Sequence, residues 1–113
     1  MREIKFRGKR VDNGELVYGY YIVAGGIPFI STFGVREPIA VIPETVGQYT
    51  GGKDKNGVEI YEGDKVLIDT EVGVIEYDNK NTRFVVNLYN VRVNFSTHNS
   101  KWFEVIGHVH EEV

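Results

Sequence analysis

Cysteine is absent from this chain of 113 residues. With it go disulfides, thiolate nucleophiles and cysteine-bound zinc or iron–sulfur centres. A chain without cysteine suits a reducing cytosol, so a cytoplasmic location is the expectation. Long apolar runs are missing as well. No stretch approaches the roughly 18 residues of a membrane span, and Met1-Arg2-Glu3-Ile4-Lys5 opens a strand pattern rather than a signal peptide. No convincing helical stripe of apolar residues at i, i+3, i+4 and i+7 is present. Phosphate-binding glycine motifs and a G-x-S-x-G nucleophile setting are also lacking. Ser31, Ser96 and Ser100 therefore have no triad context, and His98 beside Ser96 sits in a polar loop without an orienting carboxylate. The expectation is a protein that is not an enzyme and carries no cofactor.

The residues that remain are 42% apolar and 12% aromatic, with 13 glycines and three prolines. This suits one domain with a thin core, since a chain this short hides only about two-thirds of its unfolded surface. Apolar positions recur with period two or in short runs, so the fold is expected to be all-β, mainly antiparallel hairpins. Arg2 to Val11 and Leu16 to Val23 flank Asn13-Gly14, a pair suited to a tight type I′ hairpin. Pro28 to Thr32 and Ile39 to Ile42 read as shorter strands, with Pro43 to Val46 able to turn briefly helical. Asn56-Gly57 predicts a second reversal. Lys65 to Asp69, Val72 to Tyr77, Thr82 to Leu88, Val91 to Phe95 and Trp102 to Val109 complete the strands. Apolar residues shift from even positions (Phe84, Val86, Leu88) to odd ones (Val91, Val93, Phe95), so a turn or bulge is expected at Tyr89-Asn90 if both sets face one core. Tyr61-Glu62-Gly63-Asp64-Lys65-Val66 before a strand, then Gly73 and another strand, has the rhythm of an SH3-like barrel. In that reading Gly73 lets a bent strand pass close to its neighbour.

Three segments together resemble the YopX family of bacteriophage and prophage proteins. They are Met1 to Arg7, Gln48 to Asp64 (QYTGGKDKNGVEIYEGD) and Glu104-Val105-Ile106-Gly107. The resemblance spans nearly the whole chain, as a single domain over 1–113 with an N-terminal hairpin region at 1–48 and a barrel at 58–113. It implies an all-β fold with an SH3-like barrel in the C-terminal half, and a phage or prophage origin, hence the bacterial cytoplasm. It implies no activity. Two positions depart from the family pattern: Gly52 stands where the family usually has Leu, which is expected to loosen the central loop, and Gly107 to Val113 replaces the usual ending and stops early.

Charge is uneven. Arg2, Lys5, Arg7, Lys9 and Arg10 face only Glu3 within the first ten residues, a local +4 in a chain of net −3. Alternation puts Ile4 and Phe6 on one side of a strand and Glu3, Lys5, Arg7 and Lys9 on the other. That pattern suits a half-buried edge strand guarded by charge, or a phosphate-binding stripe of Arg2, Lys5, Arg7 and Lys9 for nucleic acid. His108 and His110, at i and i+2, share a face as a two-histidine metal site requires, but they sit at a strand end, and no metal is expected. The acids Glu59, Glu62, Asp64, Asp69 and Glu71 read as turn and surface groups, with Asp64 bonding donors in its own turn. Tyr18, Tyr20 and Tyr21 fall in an apolar run and are assigned to the core, which leaves Tyr49, Lys53, Lys55, Tyr61 and Trp102 as exposed contacts. The functional expectation is a non-enzymatic binding module that engages a host or phage protein, through Lys53, Asp54, Lys55 and Asn56 displayed on a β scaffold. Self-association is open, and the alternative is nucleic-acid binding by the basic strand.

Overall fold

The computed structural model describes residues 4–89 and 91–111. Eleven short strands account for most of them: β1 (Phe6–Lys9), β2 (Leu16–Ala24), β3 (Ile27–Ser31), β4 (Ile39–Ala40), β5 (Gly47–Lys53), β6 (Glu59–Tyr61), β7 (Asp64–Ile68), β8 (Glu71–Asp78), β9 (Arg83–Asn87), β10 (Arg92–Asn94) and β11 (Phe103–His108). Helical structure among the described residues is limited to two 3-10 turns, Pro43–Thr45 and Asn99–Trp102. The strands form two antiparallel sheets, ordered β4-β3-β2-β1-β5-β6 and β10-β9-β8-β7-β11. The chain divides into two compact units, one up to Tyr49 and one from Thr50 onward. The second unit thus takes in residues 50–57, which the sequence placed between the hairpin region and the barrel.

In the first unit, β1 pairs with β2 on one side and with β5 on the other. It is an interior strand, not the charged edge that its alternation suggested. Arg2 lies outside the described residues. The β1–β2 reversal is present, but it is wider than a two-residue type I′ turn. Arg10 N–H donates to Glu15 C=O at 2.9 Å and Gly14 N–H to Arg10 C=O at 3.0 Å, leaving four residues in the loop. Only Gly14 takes a positive φ, 75°; Asn13 instead accepts the Glu15 N–H on its side-chain oxygen. Buried apolar residues are few in this unit: Ile30, Val41 and Tyr49. Gly8 sits against Val41 so closely that a Cβ would meet it at 3.1 Å.

The second unit holds the larger core. Ile60, Val66, Ile75, Phe84, Val86 and Phe103 form one buried cluster, with Ile68, Tyr77, Leu88, Phe95 and Val105 packed against it. Gly73 has the expected role: a Cβ there would fall 2.6 Å from Val86 Cγ1. Gly52 behaves otherwise than expected. It is a buried residue of β5, and a Cβ would fall 2.8 Å from Phe95 Cζ, so the Phe95 ring occupies the space a side chain at 52 would take. The region is packed strand, not a loosened loop.

Neither sheet closes on itself. β10 and β11 are separate ends of the five-stranded sheet, so the SH3-like barrel is not completed by hydrogen bonding. β10 is three residues long and exposed throughout, too short to carry pairing further. The phase change between β9 and β10 is a chain reversal, with Leu88 N–H donating to Val91 C=O at 2.8 Å; its Asn90 lies outside the described residues. Of the odd set, Phe95 reaches the core while Val91 and Val93 are exposed on or beside the end strand. The last strand ends at His108, one residue earlier than expected, and a register shift at Val105/Gly107 precedes its final pairs with β7, Gly107 with Lys65 and His108 with Asp64.

Candidate functional site

The central loop divides into inward and outward parts. Asp54 is 5% exposed. Its Oδ1 accepts the N–H groups of Asn56 and Val58 at 2.8 and 2.9 Å, and its Oδ2 accepts the Val105 N–H at 2.9 Å. A carboxylate occupied in this way holds the β5–β6 turn on β11 and offers nothing to a partner. Gly57 takes φ 81°, and its N–H donates to Asp54 C=O at 3.0 Å, closing a three-residue loop of the kind that a left-handed glycine completes. Lys53, Lys55 and Asn56 remain exposed. Lys55 approaches Glu104 at 3.5 Å with both side chains about half exposed, an ion pair of small energetic weight.

The basic strand is covered rather than displayed. Arg7 and Lys9 are each 6% exposed, and Lys5 lies with its amine 5.1 Å from the centre of the Tyr49 ring. Arg7 and Lys9 belong to β1, which is paired on both sides. The remaining candidates serve the fold. Asp64, 1% exposed, accepts the Tyr61 N–H at 2.8 Å across the turn made by Gly63 (φ 94°). His108 Nδ1 accepts the His110 N–H at 3.2 Å; His110 lies beyond the strand in a turn, and the two ring centroids are 6.4 Å apart. No group of three or more metal-ligating side chains occurs among the described residues. Asp12 and Asp78 have carboxyls held below their ordinary range, chiefly by side-chain bonds from Arg10 and Asn81 respectively. Asp12 is an exposed turn residue, and Asp78 is the half-buried last residue of β8.

Sequence reasoning placed the tyrosines the wrong way round. Tyr49 and Tyr61 are buried at 5% and 2%, whereas Tyr18, Tyr20 and Tyr21 are all exposed. In β2 the even positions Tyr18, Tyr20 and Ile22 form one face, opposite Ser31 and Phe29 of β3. All three side chains are exposed. A cleft of about 530 Å³ opens there between Ile4, Lys5, Tyr18, Tyr20, Thr32 and Phe33. Gly19 also lines it, and a side chain there would collide with the Ser31 carbonyl. Tyr20 is 70% exposed and Phe33 entirely so. The signal available in the sequence was quantity: the first unit has more large apolar side chains than a single sheet layer can bury.

The second unit has a separate cleft of about 550 Å³, lined by Lys55, Leu67, Ile68, Asp69, Lys101 and Trp102. Trp102, placed by the sequence at the start of the last strand, belongs instead to the preceding 3-10 turn and is 74% exposed.

These features define a small antiparallel β protein of two units, with interior charges absorbed by the scaffold and apolar clefts left open. The family model described as YopX protein matches residues 5–113, nearly the whole chain, and the chain belongs to that family. No curated protein matches it.

Proposed function

We propose that this chain is a non-enzymatic binding module that engages a protein partner through the β2–β3 face of its first unit. The observation that carries this reading is the open apolar face itself. Tyr18, Tyr20 and Phe33 are exposed together around one cleft, with exposed Ile22 further along the same strand, and contiguous exposed apolar surface rimmed by polar groups is characteristic of protein interaction sites. Tyrosine and phenylalanine supply large contact area at low entropic cost, as interface anchors do. In keeping with the phage-type family, the partner is a host or phage protein of a bacterial cytoplasm. Nucleic-acid binding by the N-terminal strand has less support, because Arg7 and Lys9 are buried.

The test is co-purification from prophage-carrying cells, with and without nuclease, using tagged wild type and a Tyr20→Glu/Phe33→Glu variant. Both side chains are exposed, so the variant should fold, which circular dichroism verifies. The expected outcome is a stoichiometric protein partner that survives nuclease and is lost with the variant. A partner retained equally by the variant, or recovery of nucleic acid in its place, would sink the reading.

A further inference from the structure

The β2–β3 face is uncharged over an unusual length. Leu16 to Val35 holds no charged residue, in a chain of which 26% is charged. Contacts between different proteins are steered by opposite charges that meet across the interface. A two-fold contact instead sets each charge near the axis against its own copy, so a surface that pairs with itself is favoured by having none there. Lys5 is the one charged residue on the cleft among the described residues, and its amine lies 5.1 Å from the centre of the Tyr49 ring.

The same face carries both a projection and a hollow. Phe33 stands at the corner of a hydrogen-bonded turn, in which Thr32 C=O accepts the Val35 N–H at 3.0 Å and Gly34 takes φ 83°. Thr32 Oγ1 donates to Tyr18 C=O at 3.0 Å and ties this turn to β2. The Phe33 ring is thus held out on an anchored backbone, entirely exposed, at the rim of the cleft that Tyr18 and Tyr20 also line. It leaves that cleft open, and across a two-fold axis each ring can enter the hollow of the other copy. Ile27, paired with Ala24, carries the face on to the hairpin tip. The exposed fractions of Tyr18, Tyr20, Ile22, Ile27 and Phe33 correspond to roughly 700 Å² per copy, most of the roughly 800 Å² that each partner of a stable interface covers. We infer that the occupant of this face is a second copy of the chain, the two meeting about a two-fold axis with Phe33 of each in the cleft of the other. The inference rests on the reading of the face as a protein interface, and names the phage-type protein that it engages.

Sedimentation equilibrium of the purified intact protein tests this. A monomer–dimer equilibrium with no larger species is expected, and Phe33→Ala is expected to weaken it about tenfold or more. Tyr20→Glu/Phe33→Glu should be monomeric, with its fold verified by circular dichroism. Trp102→Glu, which charges the exposed aromatic surface of the second unit, should dimerise as the wild type does. A wild type that stays monomeric up to about a millimolar, a dimer that persists in the double variant, or one that Trp102→Glu disperses would overturn the second copy as occupant. Open-ended assembly would overturn it too, since projection and hollow would then serve unlike faces. A monomer that floats with phosphatidylcholine vesicles would assign the face to lipid instead. If the wild type is monomeric yet a cellular partner is lost with the double variant, the second copy falls and the proposed interface stands; a monomer whose cellular partner also survives the double variant removes both.

Discussion

Asp54 shows how much of this fold depends on one side chain. Its carboxylate accepts three backbone N–H groups, two within its own turn and one from Val105, 51 positions away. Asp54→Ala strands the half-buried Val105 donor and releases the turn, so a loss of about 1–3 kcal/mol is expected in urea unfolding. A loss below about 0.5 kcal/mol, the range of ordinary surface substitutions, would show that water replaces the carboxylate without cost. Asp78 acts more weakly and in a pH-dependent way. It accepts the Lys80 N–H and the Asn81 side-chain amide in the β8–β9 turn, and its carboxyl lies below its ordinary value of 3.8. A carboxyl lowered on folding contributes stability that is complete above the unfolded value and lost as pH falls through the folded one. The gap in urea midpoint between wild type and Asp78→Asn is therefore expected to narrow as the pH falls below about 4. A gap that stays constant through that range would remove the carboxyl from the acid response.

Within elements, periodicity identified the strands and missed their neighbours. Val72 to Tyr77 and Thr82 to Leu88 were legible because alternation and the Asp78–Asn81 turn agree, and β8 and β9 run Glu71–Asp78 and Arg83–Asn87. The place of β1 was not legible: a central strand with Arg7 and Lys9 has the same pattern as a guarded edge, and only pairing with both β2 and β5 separates them. Gly52 is a similar case, because the ring that fills its space, Phe95, comes from 43 residues away. Putting leucine at 52 is thus expected to overpack β5 by about 1–3 kcal/mol. The Gly52→Leu/Phe95→Ala pair should then be less destabilised than the sum of its parts. Thermal unfolding of the four proteins checks this, and additivity within about 0.5 kcal/mol would mean that the two positions do not share space.

For the whole molecule, the decisive quantity is where charge and apolar surface end up. The local +4 of the first ten residues suggested a phosphate-binding stripe, but Arg7 and Lys9 are buried and the net charge is −3. Retention of the purified protein on a DNA column is expected to be negligible even at low salt; steep salt-dependent retention would restore the nucleic-acid reading. The candidate surfaces were only half legible. Lys55 and Trp102 were identified from residue type, whereas Tyr18 and Tyr20 were assigned to the core and are exposed. Composition counts apolar residues without counting the layers available to cover them.

The two Asn-Gly turns bear on how the protein ages. Deamidation of such a pair requires the glycine nitrogen to attack the asparagine side-chain carbonyl and close a cyclic imide. In the folded chain both nitrogens are committed, Gly14 to the Arg10 carbonyl and Gly57 to the Asp54 carbonyl, each at 3.0 Å. The bonds that shape these loops thereby also slow their chemical decay. Once the chain opens, that restraint is gone, and the isoaspartate accumulated at Asn13 and Asn56 becomes a written record of the time each molecule has spent unfolded.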